Sequence, residues 1–387
     1  MITRKITTVL LEMAASFPIV TITGPRQSGK TTLAKMTFPS KDYVSLEDLD
    51  TRQFAESDPR GFLGQYPQGA VIDEVQHVPS LLSYIQTIVD TKKVNGMYIL
   101  TGSNQFEYIQ SIFQSLAGRT GILKLLPFSY SEIYSNRYEK IEDLIYKGFY
   151  PRIFDQKIKP EYFLTGYLET YVERDVRSLI RLKDLMQFHR FLQLCAGRTG
   201  QIINFSSLGN ELGVTNKTVR HWISILEASY LVFLLQPYYR NFNKRITKAP
   251  KLYFMDIGLA VHLLGIQHPG QLITHPLRGE LFETFVVGEF LKYRYNRGKR
   301  SNIFYFRDHV GNEVDLVIET GNGTVPVEIK SSQTIAPKFF KGLDYYRKIA
   351  GTVPVSALII NDGIKQKRQA HTVMGYPHIE ELCHQLR

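Results

Sequence analysis

TITGPRQSGKTTL (residues 21–33) sets two glycines, a lysine and a threonine in the order G-x-x-x-x-G-K-T, running from Gly24 through Gly29 and Lys30 to Thr31. The apolar run Ile19–Ile22 precedes it, and a helical pattern opens near Lys30. A strand that turns into a helix N-terminus presents backbone N–H groups to an anion, and the glycines let the backbone approach closely. Gly24, Pro25, Arg26, Gln27, Ser28, Gly29, Lys30, Thr31 and Thr32 therefore form a candidate phosphate loop. Lys30 suits the β- and γ-phosphates of a nucleoside triphosphate, and the Thr31 hydroxyl suits Mg²⁺. The competing reading is a plain glycine-containing connection, disfavoured by the strand before and the helix after.

Four more apolar runs follow: DYVSL (42–46), GAVIDE (69–74), MYILTGS (97–103) and TGILKLLPF (120–128), with helical patterns at 29–37 and 79–91. Strands alternating with helices predict an α/β fold with a parallel sheet covered on both faces. AVIDEVQ (70–76) puts Asp73 and Glu74 at the end of a buried strand. An Asp there can support Mg²⁺ and a Glu can activate water; a helix cap or solvated loop is the alternative. YILTGSN brings Ser103 and Asn104 to the same carboxyl edge of the sheet, where ligands bind in such folds. They would sense phosphate or position water, or else cap the next helix. Arg119, in LAGRTG, is a candidate charge stabiliser in cis or across a subunit interface, or a surface arginine.

In this order the motifs GPRQSGKTTL, VIDEVQ, ILTGSNQF, LAGRTG and LPFSYSE make residues 18 to about 130 resemble an AAA-type P-loop ATPase. The chain is similar to a bacterial and archaeal family in which that core joins a DUF4143-type carboxyl-terminal region. The resemblance implies ATP as ligand, with hydrolysis; no guanine-reading N-K-x-D stands in a suitable place.

Composition limits the alternatives. Of 387 residues, 43% are hydrophobic and 21% charged, as expected of globular domains, and the formal net charge is +11. That balance favours a polyanionic partner, nucleic acid before membrane. Two distant cysteines without CxxC spacing, Cys195 and Cys383, argue against a disulfide framework or a cysteine zinc site and fit a reducing cytoplasm. No apolar stretch of about 18 residues predicts a spanning helix. The length predicts several domains: 1–135, the ATPase; 136–198, a helical lid or linker; 199–270, a winged helix-turn-helix; and 271–387, a small α/β restriction-endonuclease-like domain.

The third of these rests on FSSLGNELGVTNKTVRHWISILEAS (205–229). Leu208 and Leu212, then Val219, Trp222, Ile223 and Leu226, repeat at helical spacing on either side of Gly213. Lys217 and Arg220 point away from that stripe and suit DNA. PYYRNFNKRITKAPK (237–251) adds Arg240, Lys244 and Arg245 without an acidic residue, as a basic wing would. Protein–protein contact is the rival use of such a module.

NEVDLVIE (312–319) and VPVEIK (325–330) carry Asp315, Glu328 and Lys330, and the helix GELFETFVVGEF carries Glu283, with Glu280 and Glu289 as substitutes. Three acids at one sheet edge would hold a second Mg²⁺ or Mn²⁺, with Lys330 orienting water for attack on phosphorus. The set resembles the PD-(D/E)xK nuclease core, although Val314 stands where a proline is usual. Metal-dependent DNA cleavage and a non-cleaving domain are both open. The leading expectation is an ATP-hydrolysing, DNA-binding protein that can form homo-oligomers. The alternative is a nucleotide-switched scaffold that oligomerises or binds a protein partner.

Overall fold

The computed structural model describes residues 2–103, 116–135, 138–177, 184–238, 249–350, 355–368 and 370–386. Asn104 and the basic residues Arg240, Lys244 and Arg245 lie outside them. The chain divides into two compact units, residues 1–128 with 228–230 and 294–299, and the remainder.

Unit 1 is built on five strands: β1 (Ile19–Gly24), β2 (Asp42–Ser45), β3 (Ala70–Asp73), β4 (Tyr98–Ser103) and β5 (Thr120–Lys124). All pair in parallel in the order β2-β3-β4-β1-β5. Alternate residues face opposite layers, as the strand period of two requires. Ile19, Ile72, Tyr98 and Leu100 pack with Phe62, Leu81 and Ile85, from helices Pro59–Gly64 and Leu81–Lys92. Val20, Ile22, Val71 and Ile99 pack with Leu10, Ala14, Leu33 and Ala34, from helices Thr7–Ser16 and Lys30–Thr37. The expected parallel sheet, covered on both faces, is what the chain forms. Helices Leu49–Ser57 and Pro59–Gly64 fill the interval between β2 and β3. Asp48 and Asp58 cap them, accepting from Thr51 N and Gly61 N, and Pro59 opens the second.

Unit 2 begins with helices, among them Pro160–Tyr167 and its π-helical continuation Leu168–Val176. Helix Leu185–Ala196, strand β6 (Gln201–Ile202), helices Phe205–Leu212 and Asn216–Ala228, then β7 (Val232–Leu235) and β8 (Lys251–Phe254) follow. These strands form an antiparallel sheet in the order β6-β8-β7. Gly213 ends the first of the paired helices at φ 69°, a left-handed turn that glycine adopts without strain. Val219, Trp222, Ile223 and Leu226 are all buried.

Helix Arg278–Tyr295 leads to a six-stranded mixed sheet: β9 (Ile303–Arg307), β10 (Glu313–Thr320), β11 (Gly323–Lys330), β12 (Ala357–Ile360), β13 (Lys365–Arg368) and β14 (His371–Gly375). Its order is β13-β14-β12-β11-β10-β9, and helix Lys341–Ala350 connects β11 to the parallel β12. Against β9, β10 slips one residue between Val314 and Val317. Both valines consequently pack with Leu343 and Tyr346 although they are three apart. Such a bulge re-aims the side chains within it, here Asp315.

Candidate functional site

Two constellations are assembled, one in each unit. In unit 1 the phosphate loop leaves the carboxyl end of β1. Gly24 takes φ 150°, and a Cβ there would lie 2.1 Å from the Leu125 carbonyl oxygen, so only glycine fits. Gln27 and Gly29 are also left-handed, at φ 63° and 90°. Arg4, which sequence reasoning missed, ties the loop down: it is buried on Phe128 and donates to the carbonyls of Ser28 (2.9 Å) and Leu126 (2.7 Å).

Lys30 is 5% exposed and its ammonium donates to the carbonyls of Gly24 (3.2 Å) and Pro25 (2.9 Å), across the hollow of the loop. Burial pulls its pKa below the ordinary lysine value, against the opposing charges of Glu74 and Asp73. The Ser28 hydroxyl is buried with no hydrogen-bond partner among the described residues. A buried ammonium and an unsatisfied hydroxyl in one glycine-lined loop fit a phosphate group.

Thr31 and Asp73 meet as expected, with Thr31 Oγ1 2.9 Å from both carboxylate oxygens. Two further hydroxyls on Asp73 were not foreseen. Tyr43 OH donates to Oδ2 at 2.9 Å, and Thr101 Oγ1 donates to Oδ1. Burial and the charge of Asp73 push the Tyr43 phenol up to about 12, so it remains a donor. A carboxylate beside a threonine hydroxyl at the mouth of a phosphate loop is a donor set suited to Mg²⁺. Glu74 follows at φ 53°, rare for a residue with a side chain, and Gln76 donates to its carboxylate. Ser103 pairs with Gly24 across β4 and β1, which puts the end of β4 beside the loop.

Arg119 stands elsewhere. It precedes β5, and its carbonyl accepts from Ile19 N at the start of β1, whereas the phosphate loop leaves the opposite end. Its guanidinium is engaged by Asp90, at 2.6 and 2.9 Å. Five residues of strand at about 3.3 Å each separate the two edges. The cis alternative for Arg119 is therefore corrected: within one chain it cannot reach the loop.

In unit 2, Glu283, Asp315, Glu328 and Lys330 form one cluster, as the sequence led us to expect. The β10–β11 register, extended one step past Leu316 and Val327, sets Asp315 opposite Glu328. Lys330 Nζ lies 3.0 Å from Asp315 Oδ2 and 2.6 Å from Glu328 Oε1. Asp315 also accepts from Ile329 N at 2.8 Å. Glu283 accepts from Tyr253 OH (2.5 Å) and Lys251 Nζ (2.9 Å), two β8 residues that sequence reasoning missed. The signal was there, in a lysine opening the otherwise apolar KLYF: a buried lysine needs a carboxylate. Glu289 is not part of the cluster; it binds Lys292 Nζ (2.9 Å) and Tyr130 N (2.8 Å). Among the described residues, no three His, Cys, Asp or Glu side chains are arranged to hold a metal ion. The expected set of Glu283, Asp315 and Glu328 is thus drawn together but satisfied by lysines.

Burial, with the charge of Asp315, pushes Glu283 up to about 7 and Glu328 to about 8, against the pull of Lys251 and Lys330 respectively. Both acids therefore take up protons at a higher pH in the folded chain than in the unfolded one, where glutamate titrates near 4.5. Between about pH 4.5 and 8 the folded state holds more protons, so stability falls as pH rises through that window. The denaturant midpoint is expected to be lower at pH 8 than at pH 5.5, with Glu328→Gln flattening the difference. A midpoint that rises over the same interval would contradict this arrangement.

Lys217, Arg220 and His221 are exposed on helix Asn216–Ala228. Arg220 lies over the Phe205 ring, 4.0 Å from its centroid, and donates to Asn216 Oδ1 at 2.8 Å. No helix among the described residues is long and apolar enough to cross a membrane.

The family described as AAA domain matches residues 16–134, a domain of unknown function (DUF8612) residues 138–270, and a domain of unknown function (DUF4143) residues 278–379. An uncharacterized protein of Mycobacterium tuberculosis is 27% identical over 322 residues, covering 82% of this chain and 71% of its own. One of Methanocaldococcus jannaschii is 21% identical over 401 residues, covering 90% and 81%. Among solved structures, a Walker-type ATPase of Pyrococcus abyssi has a TM-score of 0.45 at 13% identity, over 67% of this chain and 94% of its own. AMPPCP-bound DnaA from Aquifex aeolicus has a TM-score of 0.30 at 14% identity, over 57% and 85%. The α/β segment at residues 16–134 is similar to the AAA domain, and the segment at 278–379 to DUF4143.

Proposed function

We propose that the chain is an AAA-type ATPase that binds DNA and couples its nucleotide state to a winged helix-turn-helix and a PD-(D/E)xK nuclease-like domain. The observation that carries the reading is Thr31 held on both oxygens of Asp73, beside the buried Lys30 ammonium. Backbone N–H groups of residues 24–32 and Lys30 bind the phosphates of ATP. Thr31 and Asp73 hold Mg²⁺, which supplies charge neutralisation at the transferring phosphoryl group. Glu74 takes a proton from water. Asn104 orients that water, and Arg119 serves a neighbouring copy in a homo-oligomer, its place at the far sheet edge favouring action in trans.

The order helix, strand, helix, helix, strand, strand over residues 185–254 supports the winged helix, and exposed Lys217 and Arg220 support its use on DNA. The basic segment with Arg240, Lys244 and Arg245 adds phosphate contacts. The order helix, three strands, helix, strand over 278–360 supports the nuclease-like core, with Glu283, Asp315 and Glu328 as metal set and Lys330 as catalytic lysine. One observation favours the scaffold alternative: Lys251 and Lys330 neutralise those acids, as a non-cleaving domain permits.

The deciding experiment measures ATP turnover in Mg²⁺ and in Mn²⁺, with and without single- and double-stranded DNA, and resolves the same samples on a gel. Turnover stimulated by DNA is expected, with binding that weakens steeply in salt. Lys217→Ala should lower the salt slope by about 1. Turnover and pull-down of a protein partner that ignore both DNA and salt would favour the scaffold.

A further inference from the structure

Lys251 opens β8, a strand whose four residues are all buried, and its side chain is only 4% exposed. Its ammonium lies 2.9 Å from Glu283 Oε1 and 2.7 Å from Glu313 Oε1. Lys330 holds Asp315 and Glu328 in the same way, so two ammonium groups are shared among four carboxylates. Arg307 Nη1 also lies 3.5 Å from Glu313 Oε2, and Glu328 Oε2 is buried with no hydrogen-bond partner among the described residues. Gly342 lets the helix after β11 close over it, since a Cβ there would lie 2.5 Å from the Glu313 carbonyl oxygen and 3.3 Å from Glu328 Oε2.

We infer that Lys251 is a built-in counter-cation that closes this acid cluster to divalent metal, and that Mg²⁺ or Mn²⁺ enters only when the Lys251 ammonium leaves Glu283 and Glu313. The inference rests on reading Glu283, Asp315 and Glu328 as a metal set. Hard cations need several oxygens facing one point, and Glu283 Oε1 is already committed to Lys251 and Tyr253. An ammonium within bonding distance of the same carboxylate also repels an incoming dication strongly at low dielectric. Lys330 differs: it sits on the strand of Glu328 and bridges the two facing acids, whereas Lys251 arrives from a strand of the other sheet. Lys251 thus opposes a dication from outside the strand pair that carries Asp315 and Glu328.

The test is Mn²⁺ binding by electron paramagnetic resonance on the nucleotide-free full chain, with Asp73→Asn in every sample to silence the phosphate loop. Lys251→Met should bind Mn²⁺ at least about tenfold more tightly than its parent, Lys251→Arg should behave as the parent, and adding Glu328→Gln should abolish the gain. If Lys251→Met does not fold, Lys251→Met with Glu313→Gln, compared with Glu313→Gln alone, reads the same effect with one acid and one lysine removed together. Equal Mn²⁺ affinity in parent and variant overturns the counter-cation role and leaves the metal set standing. Absence of binding in every variant overturns both.

Discussion

Replacing Lys30 by alanine is expected to lower ATP turnover by about a hundredfold to a thousandfold, the usual loss when one preorganised charge is removed from a developing anion. The ammonium is buried and points across the loop, where carbonyl oxygens of Gly24 and Pro25 accept its protons. A phosphate oxygen is a stronger acceptor than either carbonyl, because the bond becomes charge-assisted on both sides. Binding of a triphosphate thus draws Lys30 away from its own loop with little rearrangement. The fold should survive the substitution. Burial of the ammonium already disfavours its charged form, so removing it relieves a desolvation cost while leaving an alanine-sized gap. The thermal midpoint of Lys30→Ala should move by no more than a few degrees. Steady-state turnover in Mg²⁺ and binding of a fluorescent ATP analogue measure the two losses separately. Wild-type turnover in a folded Lys30→Ala protein would remove the nucleotide site from this loop.

What the sequence conveyed about this site follows from how its parts are encoded. The phosphate loop is a contiguous string flanked by a strand and a helix, so its chemistry and its place on the sheet are read together. Asp73 is reached through a continuous apolar strand whose end is unmistakable. Tyr43 and Thr101, which complete the hydroxyl set on Asp73, come from β2 and β4. Their roles depend on the lateral order β2-β3-β4, and short apolar runs that alternate with helices look alike in sequence, so that order is not encoded locally. The place of Arg119 follows from direction alone, a step the sequence reading, which left cis and trans open, did not take. A residue just before a parallel strand lies at the amino edge, and the loop just after one lies at the carboxyl edge. In unit 2, Asp315 and Glu328 were readable from the strand–turn–strand spacing. The bulge at Val314–Val317 was not, because it is set by the pairing of β10 with β9. Lys251 and Tyr253 escaped because they sit some thirty residues before Glu283 in a segment whose periodicity describes a different sheet.

Glu74→Gln should keep ATP bound while cutting its hydrolysis by about a hundredfold to ten-thousandfold, the range a positioned general base supplies. The residue follows Asp73 at the end of β3 and takes a left-handed backbone, which costs of order 1–3 kcal/mol for a side chain larger than glycine's. That conformation turns the chain sharply out of the sheet, so successive carboxylates leave the strand in different directions. Asp73 stays with Thr31 and is 6% exposed, whereas Glu74 is only half-buried, with Gln76 steadying its carboxylate. One acid is thereby committed to the metal side and its neighbour is left able to meet water. Glutamine preserves the size of the side chain and the backbone strain but cannot take a proton, so binding and chemistry separate. Single-turnover hydrolysis against equilibrium ATP binding makes the comparison, and Glu74→Asp should recover part of the rate through a shorter carboxylate. A glutamine variant that hydrolyses ATP at the wild-type rate would assign the base to another residue, and one that no longer binds ATP would make Glu74 a structural support of the loop.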